Sequence, residues 1–193
     1  YLIFINSLIN PVKKKMQTNE KIRIVGNGTD LSLNTTGRTY HIDDGHINMP
    51  GGEVYTAPTD DSAEGSISFE FPAVFAGQFI EGICLHFSKG VVVEATADKN
   101  QKLLLDLIGM DAGAKRIGEF GVGTNYSISR YCYDLLFDEK IGGTVHIALG
   151  RAYPECGGIN KSALHWDLIK DLREEGALYL DGEKTIEKGQ FLI

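Results

Sequence analysis

A strand-rich α+β fold, one domain with few helices, is what the sequence predicts, and three observations carry that expectation. Short segments such as KIRIVG and TVHIALG alternate apolar and polar or small residues with a period of two, as half-buried strands do. Helical spacing is clear in only one stretch, KNQKLLLDLIGMDAGAK, where Leu103, Leu104, Leu107 and Ile108 fall on one face ahead of Gly109. Glycine, 23 of 193 residues, punctuates these segments at turn positions, and no internal repeat or low-complexity linker divides them.

The opening YLIFINSLI is apolar but far shorter than a membrane span, and its basic residues follow it rather than precede it. It fits neither a transmembrane helix nor a signal peptide. The chain starts at Tyr1 without a Met, so residues 1–20 are expected to be a helical lead-in that begins inside a larger protein and packs on a part not present here. The only basic run, Lys13 to Lys15, reads as a solvated helix face. Residues 21–193 are then the folded domain. KIRIVG forms its first strand and the NGT that follows is a turn. Residues 44–58, DGHINMPGGEVYTAP, are largely loop, with a short strand over residues 53–56.

GSISFEFPAVF, FIEGICLHFSKG and VVVEATA form a run of strands with Gly90 at a hairpin tip, and the helix described above follows. Residues 127–140, SISRYCYDLLFDEK, are expected to form a second helix. The tail ALYLDGEKTIEKGQFLI closes the domain as a hairpin turning at Asp181-Gly182.

A formal net charge of −7 argues against a nucleic-acid surface. The three cysteines, Cys84, Cys132 and Cys156, are odd in number and too scattered for a paired zinc motif, which suits a reducing cytoplasm.

The chemistry is concentrated between residues 144 and 167. Strand alternation places His146 opposite the apolar row of Val145, Ile147 and Leu149, beside the small Ala148, with its imidazole facing open space. His165 and Asp167 are two apart, so a strand aims both at one side and Trp166 at the other. Two glutamates stand apart by their settings: Glu53 in NMPGGEVYTAP, and Glu119 in RIGEFGVGTN beside Gly118, Gly121 and Gly123, where a backbone or ligand can approach closely. Each alone reads most simply as a surface acid, and a lone strand histidine as a structural one. Together they make three carboxylates and two imidazoles, more than one catalytic zinc needs and suited to two divalent ions sharing a carboxylate. The metal site is expected at strand ends and glycine-rich loops. His41, His46 and His86 match no ligand pattern.

NMPGGEVYTAP, GEFGVGTN, DEKIGGTVHIALG, AYPECGG and NKSALHWDL, in that order, resemble the successive motifs of the aminopeptidase T and aminopeptidase S family of cocatalytic metallopeptidases. The resemblance runs from about Lys21 to the C-terminus. It implies that Glu53, Glu119, His146, His165 and Asp167 are metal ligands, that Tyr153 lies in the site, and that the protein removes N-terminal residues from peptides with a free amino end. It also implies a cytoplasmic homodimer and an N-terminal α/β domain outside this chain. Two divalent ions would be the cofactors, zinc first, with cobalt, manganese or magnesium as alternatives.

In that chemistry Glu119 holds the ions and Tyr153 is placed as an oxyanion donor. Glu139 is a candidate supporting or general-base carboxylate. Cys156 stands where the family more often has a hydroxyl, and reads as a packed, inert thiol rather than a soft ligand. A metal-binding half without activity and a metal-free β-rich interaction domain are the competing readings.

Overall fold

The computed structural model describes the backbone of residues 2–193 and the side chains of residues 7–193. For residues 1–6 the expected packing of the lead-in on an absent part falls outside the described side chains. Helix α1 (Leu2–Gln17) leads into β1 (Lys21–Gly26), β2 (Thr29–Asn34), β3 (His41–Asp43), β4 (Glu53–Thr56), β5 (Glu64–Ser68), β6 (Ala73–Phe75), β7 (Gln78–Ile80), β8 (Cys84–Ser88) and β9 (Val91–Thr96). After α2 (Gln101–Ile108) come β10 (Ile117–Gly123), α3 (Leu135–Asp138), β11 (Thr144–Gly150), β12 (His165–Asp171), β13 (Ala177–Leu180), β14 (Glu183–Glu187) and β15 (Gln190–Phe191).

The strands form an eight-stranded sheet in the order β15-β14-β13-β1-β2-β5-β8-β9, a five-stranded sheet β12-β11-β10-β4-β3, and the hairpin β6-β7. Neighbouring strands pair antiparallel throughout. Alternation decides which residues face inward. β1 buries Ile22 and Ile24, β2 buries Leu31 and Leu33, and the five-stranded sheet contributes Val54, Phe120, Val145, Ile147 and Trp166 to the same core. Ile9, Val12 and Met16 of α1 bury in that core too, so the described part of the helix has its apolar stripe covered by its own chain. Lys15 on its outer side pairs with Glu183 at 2.6 Å. No described helix is long and apolar enough to cross a membrane.

The turns explain several boundaries. At Ala76-Gly77, Lys89-Gly90, Asp181-Gly182 and Lys188-Gly189 both residues have positive φ, the geometry whose twist matches antiparallel strands. The Asp181-Gly182 hairpin also pairs β13 with β1, Ile22 opposite Leu180, which ties the tail to the first strand.

Two expectations are corrected. The helix expected over residues 127–140 shrinks to the four residues of α3. Tyr133 has a φ of 66°, and the Asp138 carboxylate accepts hydrogen bonds from the Cys132 and Asp134 backbone N–H groups, which folds the segment back on itself. Tyr131 leaves the helical path to stack on Phe71, ring centroids 4.4 Å apart. The second correction is larger: GEFGVG is not a loop but most of β10, a strand buried along its whole length between β4 and β11.

Candidate metal centre

Cross-strand neighbours in an antiparallel pair point to the same face, so the register alone assembles the site. Glu53 lies opposite Gly123, Tyr55 opposite Gly121, and Gly121 opposite His146. Glu119 lies opposite Ala148, Ala148 opposite Asp167, and Gly150 opposite His165. Glu53, Glu119, His146, His165 and Asp167 therefore rise from one face of four adjacent strands, while Val54, Phe120, Val122, Val145, Ile147, Leu149 and Trp166 fill the core on the other. The donors share one sheet face, with Glu53 and His165 at the first residues of β4 and β12, as the expectation of strand ends has it, and Glu119, His146 and Asp167 inside their strands rather than in glycine-rich loops. Small residues beside them leave the room they need.

His146 departs furthest from expectation. It does leave the apolar row, but its ring is fully buried rather than in open space. Its Nε2 is 3.4 Å from Glu53 Oε2 and 3.7 Å from Glu119 Oε1. On the other side His165 Nε2 is 3.3 Å from Glu119 Oε2 and 3.7 Å from Asp167 Oδ2. Two groups of donors result, Glu53-Glu119-His146 and Glu119-His165-Asp167, each with its ligand atoms within 4.8 Å of one another. Glu119 belongs to both and turns one oxygen to each.

The electrostatics are those of crowded buried acids. Burial, then Glu139, pushes Glu53 up to about 8, against the pull of His146 and Lys140; burial, then Glu119, pushes Asp167 up to about 7. Burial alone would lower the histidines, but Glu119 and its fellow carboxylates outweigh it and hold His146 up to about 10 and His165 up to about 9. Burial opposes ionisation of Glu119 too, yet the two histidines hold its carboxyl below its ordinary value.

Glu53 Oε2, both His146 nitrogens and Asp167 Oδ1 are buried and make no hydrogen bond among the described residues. Left so, each costs stability; an ion coordinated by oxygen and imidazole donors satisfies them, and the residue set fits divalent metal.

Tyr153 follows β11 and begins a short 3₁₀ turn, Pro154–Cys156. Its hydroxyl lies 3.4 Å from His165 Nε2 and its ring packs edge-on to Tyr55. Burial, then Glu119, raises its O–H well above the ordinary range, so it remains a donor. A cleft of about 410 Å³ opens over the donors, walled by Ile42, Ile47, Tyr55, Leu135, Leu136 and Tyr153.

Sequence reasoning missed Lys140 and Asp43. Lys140 is fully buried, its Nζ 3.3 Å from Glu53 Oε1 and 3.6 Å from Asp43 Oδ2, and it donates a short hydrogen bond to Glu139 Oε1. Burial opposes its charge, but Glu53 and Glu139 more than compensate and hold the ammonium ionised. Glu139 is thus tied into this network through Oε1. Only a lysine in the otherwise apolar and glycine setting of KIGG hints at it.

Cys156 packs with Ala57 and Ala152, its thiol pushed up to about 12 by burial and then Glu119. Among the described residues His41, His46 and His86 belong to neither donor group; they contact the Glu155 carbonyl, Asp44 and Ser66.

Comparison with known proteins agrees with this architecture. Over residues 6–191 the chain matches the model of the thermophilic metalloprotease (M29) family. It is 32% identical to aminopeptidase T of Thermus thermophilus over a match covering 76% of this chain and 40% of that one. Aminopeptidase AmpS of Bacillus subtilis is 31% identical, with 79% and 40% covered. The chain thus spans about 40% of the length of these curated relatives.

Among solved structures, wild-type AmpT from Thermus thermophilus superposes with a TM-score of 0.86 at 27% identity, covering 100% of this chain and 55% of that one. A 2,5-dihydroxypyridine dioxygenase from Pseudomonas putida shares the fold at a TM-score of 0.81 and 16% identity, with 97% and 59% covered. By the family match and the identity to its relatives, the chain belongs to the thermophilic metalloprotease (M29) family.

Proposed function

We propose that this chain carries the dinuclear metal centre of an aminopeptidase that hydrolyses the first peptide bond of peptides with a free amino end. Glu53, Glu119 and His146 would hold one divalent ion and Glu119, His165 and Asp167 the other, with Glu119 common to both groups. The observation that carries this reading is the sharing of Glu119 between two donor groups in which Glu53 Oε2, both His146 nitrogens and Asp167 Oδ1 are buried without a hydrogen bond among the described residues. The names of the relatives, aminopeptidases throughout, supply the reaction class. Imidazole and carboxylate donors suit zinc, cobalt and manganese better than magnesium.

Such ions, when bound, supply Lewis acidity and a water of lowered pKa. The chain's own residues do the rest. The Tyr153 hydroxyl, kept protonated, donates to the oxyanion that forms at the scissile carbonyl. Ile42, Ile47, Leu135 and Leu136 give the cleft an apolar wall against which a substrate side chain can pack. Glu139, which lines the same cleft outside the donor groups, offers a carboxylate to the substrate's terminal ammonium.

Cleavage of an unblocked peptide beside its N-acetylated form, with and without a chelator, tests this. Activity that ignores the acetyl block or the chelator would refute it. Because the chain spans 40% of its relatives' length, a metal-binding half without turnover is the second reading. Two bound ions with no cleavage of any unblocked peptide would select it.

A further inference from the structure

The two donor groups are not built alike. His165 is fixed from behind: its Nδ1–H donates to the Arg151 carbonyl oxygen at 2.8 Å, which turns Nε2 toward Glu119 and Asp167. His146 has no such anchor among the described residues, with which neither of its nitrogens makes a hydrogen bond. Glu53 is divided, with Oε2 turned to His146 and Oε1 held 3.3 Å from the Lys140 ammonium. Among the described residues no lysine or arginine pairs with Glu119 or Asp167, so the buried Lys140 ammonium stands against one donor group only. A lysine placed merely to neutralise buried acid would serve as well beside Asp167.

Resting on the dinuclear reading, we propose that Lys140 is a fixed internal cation that competes for Glu53 and makes the two metal positions unequal. The Glu119-His165-Asp167 position is the pre-organised, tight one. The Glu53-Glu119-His146 position is weaker and exchanges its ion, so its filling follows the free metal concentration. Asp43 and Glu139 hold the ammonium in place, and they limit how completely it occupies Glu53.

The test is calorimetric titration of the metal-stripped chain with Co²⁺, with a competing chelator to resolve the tighter event. The wild type is expected to take up two ions in separate steps. Lys140→Met frees Glu53 Oε1 and removes a positive charge, so the weaker step should tighten by about tenfold or more while the tighter step stays put. Glu139→Gln leaves the ammonium more fully on Glu53 and should weaken the same step. Asp167→Asn should weaken the other.

A weaker step that is unmoved or loosened in Lys140→Met, or both steps shifting equally, overturns the assignment. Should Lys140→Met fail to fold, Glu139→Gln decides, and an unchanged weaker step there overturns it. Uptake of fewer than two ions by the wild type would remove the dinuclear reading and this inference together. Two wild-type steps that ignore Lys140 would remove this inference alone.

Discussion

Gly121→Ala isolates the contact on which one half of the centre depends. Gly121 lies in the middle of β10 with His146 directly across, and its φ lies outside the left-handed range, so alanine brings no backbone strain. The effect is steric alone. An added Cβ would stand 2.1 Å from His146 Nε2 and 2.2 Å from Cε1, whereas ordinary contact begins near 3.4 Å. The ring must withdraw by about 1.3 Å, the difference between those distances, with Glu53 and Glu119 already 3.4 and 3.7 Å from its Nε2.

Overpacking of this kind costs about 1–3 kcal/mol of stability in the metal-free chain. Displacing one ligand should lower affinity at the Glu53-Glu119-His146 position by roughly 10- to 100-fold, the range seen when ligand orientation is disturbed. The other position shares only Glu119 with it and should change less. Urea denaturation and calorimetric metal titration measure the two effects. A variant with wild-type stability and wild-type uptake of both ions would refute the packing argument.

Other perturbations separate charge, catalysis and scaffold. His146 (about 10), His165 (about 9), Glu53 (about 8) and Asp167 (about 7) are all raised, so the folded metal-free chain holds protons that the unfolded chain has released. Their contribution is complete below the unfolded pKa values and lost progressively as pH climbs from those values through the folded ones at about 7 to about 10, so chelated protein should lose denaturation midpoint from about pH 4 up to about pH 10. A flat or rising midpoint would contradict it. Glu119→Gln removes the shared anion, so metal content by elemental analysis and turnover should fall together. Tyr153→Phe should keep the metal and lower kcat by roughly 10² to 10³, and an unchanged kcat would remove Tyr153 from the oxyanion role. Trp166→Ala, on the core side of β12 where Trp166 is 1% exposed and donates to the Val74 carbonyl, should cost about 3–5 kcal/mol in urea unfolding, and a loss under about 1 would mean the core refills the space.

Local signals were the legible ones. The Lys89-Gly90 and Asp181-Gly182 hairpins and the helix ending at Gly109 follow from turn chemistry and periodicity, and the structure has them where the sequence puts them. The common side of His165 and Asp167 is likewise a property of one strand. β10 was illegible because three of its residues are glycines with little intrinsic strand preference; what makes it a strand is pairing with β4 and β11 on either side. The same pairing explains the glycines, since Gly121 makes way for the His146 ring and a Cβ at Gly123 would meet the Ile141 carbonyl oxygen at 2.0 Å. Lys140 left only the hint of its KIGG setting because its partners Asp43 and Glu53 come from distant strands.

The arrangement links metal binding to folding. Asp43, Glu53, Glu119, Glu139 and Asp167 crowd around three groups that can carry positive charge, Lys140, His146 and His165, in a region nearly closed to water. Without metal the histidines must stay protonated to hold the carboxylates together, and several buried atoms still go without partners. Divalent ions take over that task only when the imidazoles give up their protons, so binding releases protons and strengthens as pH rises. The unfolded chain scatters these donors over segments from residue 53 to residue 167, and ions bound to the assembled set therefore stabilise the fold by mass action. The apolar back of the sheet holds the strands in register, and the metal relieves the charge that this register brings together on the front.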